Sequence, residues 1–158
     1  MKTYIIKSKK DLEKHKDKYG YHIKGNAEFE YGANFVGRLL VDGYLSIKAG
    51  EFIEAGEFIE AGWSINAGGS INAGEWYGIS AGLNITCKTT LSFGLKAFAG
   101  IKTWGIATDE EKTITCGKLI KGEVAYGILK ETGEETKALS GKIVKVELDG
   151  KTYEATIK

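Results

Sequence analysis

The sequence predicts an all-β solenoid: a single-stranded parallel β-helix with three six-residue sides per coil, an N-terminal capping helix and a C-terminal β-hairpin segment. Three observations carry that expectation. The stretch "IKAGEFIEAGEFIEAGWSINAGGSINAGEW", Ile47 to Trp76, reads as five copies of Ile-x-Ala-Gly-x-x, with Ile47, Ile53, Ile59, Ile65 and Ile71 six residues apart. The 158 residues include 22 Gly and no Pro, and the Gly of this stretch recur at the same interval, as in a repeat architecture and unlike a flexible linker. The phase also continues outward. Val41, Phe35, Phe29 and Ile23 hold the apolar position on the N-terminal side, and beyond an inserted pair, Tyr77-Gly78, the step resumes at Ile79, Ile85, Leu91 and Ala97.

A period of six suits a coil of short strands. In extended chain, residues i and i+2 face the same side, so Ile47 and Ala49 point inward together and Lys48 points out. Gly50 then supplies the bend, because glycine tolerates positive φ and leaves room where neighbouring coils stack. Three such sides close a coil of about eighteen residues, which places Ile47 beneath Ile65 and Ile53 beneath Ile71 at a spacing of about 4.8 Å. A single hexad buries too little to offset its backbone entropy, so stacking is obligatory. A meander of antiparallel hairpins would need Gly-rich turns about 8–12 residues apart with longer strands between them.

Three segments follow: an N-terminal strand and capping helix at 1–22, the β-helix at 23–108, and a C-terminal β segment at 109–158. In the first, "YIIKSKKDLEKHKDKYG" begins as a strand, then Ser8 with Asp11 three residues on resembles a capping box, and Leu12 and Tyr19 mark the apolar face of a helix of about eleven residues that Gly20 ends. The acidic run Asp109-Glu110-Glu111 marks the second boundary. After it, "KTITCGKLIKGEVAYGIL" reads as two more strands. "KIVKVELDGKTYEATI" reads as a hairpin: Val144, Val146 and Leu148 alternate, Asp149-Gly150 turns, and Tyr153, Ala155 and Ile157 alternate back. Both appendages suit covers for solenoid ends, whose unpaired edges would otherwise recruit other chains.

Composition bounds the function. The net charge is +1, and the excess of Lys over acids lies within residues 1–19. No apolar run approaches the roughly 20 residues of a membrane span, "MKTYIIKSKK" has no signal-peptide core, and Cys87 with Cys116 makes no disulfide framework. The expectation is a cytoplasmic protein without a membrane association. The two histidines, His15 and His22, have no carboxylate beside them in sequence, and the spacing of Ile and Gly differs from that of hexapeptide acyltransferases. The cysteines share the context "ITC" at inward positions and read as small buried hydrophobes. Without His partners they cannot complete a zinc site. No P-loop follows the glycines, which lack a Gly-Lys-Ser/Thr. We therefore expect no enzyme, no metal and no cofactor.

What remains is the outward surface of the coil. Between Lys48 and Lys88 there is no basic residue, yet the stretch carries Glu51, Phe52, Glu54, Glu57, Phe58, Glu60, Trp63, Glu75, Trp76 and Tyr77. An eighteen-residue coil places Phe58 below Trp76 and Glu57 below Glu75, as ladders. Contiguous exposed rings mark an interaction site, or they cover the coil edge while the acids keep the solenoid in solution. Lys9, Lys10, Lys14, Lys16 and Lys18 are interleaved with acids and read as a solvated helix face, which argues against direct nucleic-acid binding.

The phrases "IEAGWS", "INAGGS" and "INAGEW" resemble the short Gly-rich repeats of the bactofilins, polymer-forming cytoskeletal proteins with a right-handed parallel β-helix. The resemblance covers about half the chain and implies a right-handed coil. It also implies self-assembly, although bactofilin coils end bare whereas this chain carries an appendage at each end. The overall layout, including "AGLNITCKTTLSFGLKAFAGIKTW", is similar to small phage and mobile-element proteins of Gram-positive bacteria. Two functions are therefore expected in competition. One is a non-catalytic protein-binding solenoid whose acidic-aromatic surface meets a protein partner, such as a nucleic-acid-binding host complex; an anti-CRISPR-like inhibitor of a host nucleic-acid enzyme or defence complex is one form of it. The other is a self-assembling, bactofilin-like scaffold, a homo-oligomer.

Overall fold

The computed structural model describes residues 1–133, 143–148 and 151–156. Its core is a β-solenoid with three strands per turn. The first face stacks β1 (Thr3–Ile6), β4 (Asn26–Phe29), β7 (Leu45–Ile47), β10 (Ile65–Ala67), β13 (Ile85–Cys87), β15 (Thr113–Cys116) and β17 (Ile128–Glu131), all parallel. The second stacks β5 (Ala33–Phe35), β8 (Ile53–Ala55) and β11 (Ile71–Ala73). The third stacks β3 (Gly20–Ile23), β6 (Arg38–Val41), β9 (Ile59–Ala61) and β12 (Ile79–Ala81). The long strand β14 (Thr90–Ala99) runs across the second and third faces of the next coil, and β16 (Lys118–Tyr126) lies on it, parallel, with register shifts. The coil thus continues past 109–111 to Glu131.

Each three-residue strand buries its first and third residues and turns the middle one out, as in Ile53-Glu54-Ala55 and Ile71-Asn72-Ala73. The coil length is not uniformly eighteen. Ile53 stacks on Ile71, but Ile65 stacks on Leu45, and Ile47 lies under Ala67. The corner 48–52 between β7 and β8 carries two extra residues, as does the corner 74–78 between β11 and β12, whereas the corner 56–58 has three residues. Rungs that span one long corner are therefore offset by twenty. Ile47 looked like a fifth copy of the phrase because Ala49-Gly50 follows it. It occupies the third, Ala-type slot of its strand, and Gly50, at φ +83, belongs to the longer corner.

Glycine is required where corners stack. A methyl group on Gly74 would land on the carbonyl oxygen of Gly56, and one on Gly82 on that of Gly62. Gly50 differs: its φ is positive, but nothing lies near its missing side chain.

The helix α1 (Lys9–Glu13) covers the N-terminal end and is half as long as its apolar pattern suggested. Ser8 caps it: its hydroxyl accepts from Asp11 N–H (3.3 Å), and Asp11 reaches back to Lys7 N–H (3.3 Å). Leu12 is buried on the first coil, but Tyr19 is exposed. The chain after Lys14 leaves the helix because β2 (Lys16–Asp17) pairs antiparallel with β3. Polar ties fix this cover: the Tyr21 hydroxyl donates to Glu13 (2.6 Å), and Arg38 pairs with Asp17 (2.8 Å). At the other end, β18 (Ile143–Leu148) and β19 (Lys151–Thr156) form the expected antiparallel hairpin. Its turn, Asp149-Gly150, and Ile157 lie outside the described residues.

Gly74→Ala should lower stability by several kcal/mol, because the backbone of two coils must separate. Gly50→Ala should cost only about 1–2 kcal/mol, from its left-handed backbone alone. Thermal melts followed by circular dichroism will rank them, and equal midpoints would contradict the stacking assigned to Gly74. The N-terminal cover should also loosen on acidification. Asp11, Glu13 and Asp17 are held below their ordinary values of 3.8, 4.5 and 3.8 chiefly by hydrogen bonds from Lys14, Tyr21 and Arg38 respectively. His15 is held below 6.5 by burial, with Lys14 and Lys2 adding. Groups with depressed values contribute stability above their unfolded values and lose it as pH falls. Amide resonances of residues 9–23 should shift first below about pH 6.5, as His15 protonates, and again below about pH 4, as the carboxylates do. Resonances unmoved from pH 7.5 to 3 would contradict this.

Candidate interaction surface

The ten acidic and aromatic residues do not form one patch. Glu51 and Phe52 sit at the corner between the first and second faces, where the Phe52 ring lies over Gly32. Trp63 is at the corner between the third and first. The structure gathers the rest around the corner between the second and third faces: Glu57, Phe58, Glu75, Trp76 and Tyr77 on the corner, and Glu60 facing outward on β9.

Glu54 has a different place. It points out from β8 on the second face, in a ladder with Asn34 and Asn72. The Asn34 amide donates to one carboxylate oxygen at 3.1 Å and the Asn72 amide to the other at 3.4 Å. Both acceptors are therefore occupied within the coil, and Glu54 ties three rungs together.

The long corner also changes the stacking of the rings. Ile59 is in register with Ile79, so Phe58 meets the level of Gly78, and Trp76 and Tyr77 bulge outward. Glu57 does lie at the level of Glu75, since the Gly74 N–H donates to the Glu57 carbonyl (3.0 Å). A depression of about 210 Å³ beside this corner is walled by Phe58, Glu60, Gly78, Ser80, Lys96 and Phe98. On its N-terminal side the Arg38 guanidinium lies 5.9 Å from the Phe58 ring centre and 5.1 Å from that of Tyr19.

Several residues of this surface escaped the repeat pattern. Phe98 faces outward above Ser80, and Tyr126 is in register with Phe98 on the next strand. Beyond Phe98 a second depression of about 610 Å³ is lined by Phe98, Ile101, Ile106, Ala107, Ala125 and Tyr126. Ile106 is 96% exposed and Trp76 77%. The loop 100–112 that carries Ile101, Trp104 and Ile106 is held by Lys102, which pairs with Glu111 at 2.7 Å. Alternation in "LKAFAG" would have turned Phe98 outward, but no periodicity announces how the loop returns beside it. The surface is also less uniformly acidic than the sequence suggested. Lys96 borders the first depression, and Lys121 reaches Glu75 at 3.4 Å, an exposed pair worth little in stability.

The other candidates resolve into packing. Cys87 and Cys116 are buried, and burial pushes the Cys87 thiol up to about 12, far from a reactive thiolate. His22 does have a carboxylate partner, Asp42 at 2.7 Å, which stands on the next coil just after β6. His22 borders a depression with Tyr4, Lys14, His15, Lys16, Asp17 and Lys24, which among the described residues offers no hydroxyl or thiol beyond the Tyr4 phenol. His15 stands edge-on to Tyr4, ring centres 4.7 Å apart. Among the described residues, no group of three or more His, Cys, Asp or Glu could hold a metal ion, and no helix is long and apolar enough to cross a membrane.

Charge reversal should separate the structural from the free carboxylates. Glu54→Lys should lower the thermal midpoint by about 2–4 °C, near 1 kcal/mol for a chain of this size, while Glu57→Lys and Glu60→Lys leave it unchanged. A Glu54→Lys protein that melts with the wild type would show that the Asn ladder contributes nothing. Comparison of the chain with protein-family models, with curated proteins and with solved structures gave no match.

Proposed function

We propose that this is a non-catalytic binding protein whose rigid coil docks a protein partner through the surface running from Phe58 past Trp76 and Tyr77 to Phe98 and Tyr126. The observation that carries it is the grouping of these rings on consecutive rungs around one corner and one face, outside the core and beside concave depressions. Aromatic anchors within a charged rim are the usual energetic centre of an interface. Glu57, Glu60 and Glu75 suit a partner that is basic opposite the corner, such as a groove that normally holds nucleic acid. An inhibitor of a host nucleic-acid enzyme or defence complex, anti-CRISPR-like and carried by a phage or mobile element, is the specific form we favour. It is supported by the acid-rich corner together with the likeness of layout.

Assembly into a bactofilin-like scaffold is the competing function, and it needs two bare coil ends. The cover formed by α1 over the first coil weighs against it. Sedimentation of the purified chain distinguishes them, since a scaffold gives filaments and a binding protein a particle of fixed mass.

Replacing Phe58 and Trp76 together by Ala should weaken binding by about 2 kcal/mol or more. Reversing Glu57 and Glu60 should mainly slow association, an effect that fades as salt rises. The measurement is parallel capture from bacterial lysate with wild type and with the combined variant, followed by kinetics on the purified partner. Recovery of the same partner with both rings and both acids changed would overturn this surface.

A further inference from the structure

We propose that the hairpin β18–β19 folds back onto the last coil and covers its C-terminal end, so that the chain closes itself at both ends. Among the described residues, β16 pairs only with β14 and β17 only with β15. Each therefore has a strand on one edge only among the described residues. The interior of that coil is also only partly covered. Leu119 is opposite the fully buried Leu91, Val124 opposite the buried Ala97, and Leu129 opposite the buried Ile114; yet Leu119 and Val124 are only partly buried and Leu129 is 37% exposed. At the N-terminal end the corresponding positions are sealed by α1 and Leu12.

Among the described residues, one element fits. In β18–β19 the pairs Val144↔Ala155, Val146↔Tyr153 and Leu148↔Lys151 alternate with Ile143↔Thr156, Lys145↔Glu154 and Glu147↔Thr152. By register and residue type alone, the first set of positions is largely apolar and the second largely polar. An isolated two-stranded hairpin is marginal in water and needs a surface to cover its apolar face. Residues 132–142 join it to β17, a tether that spans up to roughly 36 Å when extended. A coil side of three or four residues is only about 10–13 Å long, so the hairpin can reach every part of the open end.

A second copy of the chain is the rival occupant. It would stack its own strands on β16 and β17, and Glu131 opposes that. Glu131 is in register with the buried Cys116, and its carboxylate accepts the Leu119 N–H at 2.7 Å. A further parallel strand would have to bury that charge, a device by which natural sheets block edge-to-edge addition. A hairpin laid across the end can leave Glu131 at its rim.

Hydrogen–deuterium exchange on the full chain tests this. In the wild type, the edge amides of 118–126 and 128–131 should exchange at least tenfold more slowly than unstructured peptide, equally at dilute and concentrated protein. Val146→Asp with Tyr153→Asp should remove that protection while the amides of β7 to β12 keep theirs. Lys145→Ala with Thr152→Ala, at the polar positions, should leave it intact. Edge amides that exchange freely in the wild type would overturn the proposal, as would protection that survives the Asp variant. Protection that grows with concentration alongside a doubled sedimenting mass would assign the end to a second copy.

Discussion

The inner strands of the repeat are three residues long, and none could persist alone. What makes each persist is the rung above and the rung below: a column of aliphatic side chains in van der Waals contact, flanked by backbone hydrogen bonds from coil to coil. Stacking at strand spacing forces the corners together as closely as the strands. Glycine at Gly74 and Gly82 follows from that approach and not from a need for flexibility. The absence of Pro has the same origin, since a coil of parallel strands uses its N–H groups toward neighbours on both sides.

Because the interior demands alternation and the corners demand small residues, most of the fold could be read directly from the pattern of Ile, Ala and Gly. The inward positions Ile53, Ile59, Ile65 and Ile71, the resumed phase at Ile79 and Ile85, and the capping role of Ser8 all stand in the structure as the sequence implied. Ile47 shows the limit of pattern matching. Ile-Lys-Ala-Gly satisfies the motif in letters, but the chain needs Leu45 and Ile47 inside and uses Ala49-Gly50 to lengthen a corner. Periodicity alone cannot separate a repeat unit from a corner that imitates one. The helix was overestimated for a related reason: Tyr19 falls at helical spacing from Leu12, but pairing of β2 with β3 competes for the residues between.

The candidate surface was legible in composition and less so in position. Outward residues carry no packing constraint, so sequence reveals that they are acidic or aromatic but not which corner they share. The dispersal of Trp63, Phe52 and Glu54 away from the Phe58 corner follows from coil geometry alone. So does the arrival of Phe98, Tyr126 and Lys96 from strands outside the glutamate-rich stretch. Glu54 is the instructive member. A carboxylate chosen for its charge proves to be a structural link between two amides.

The two lengthened corners differ from their neighbours by a pair of residues each, and the strands on either side keep their inward pattern without interruption. A corner can therefore grow outward while the columns inside remain in phase, provided the strand that follows starts again on an inward residue. Positions 49–50 and 76–77 are, in that sense, where the rod takes up extra length, provided the backbone contacts of Ala49 and Gly50 with Gly68, and of Tyr77 with Gly94 and Leu95, are kept.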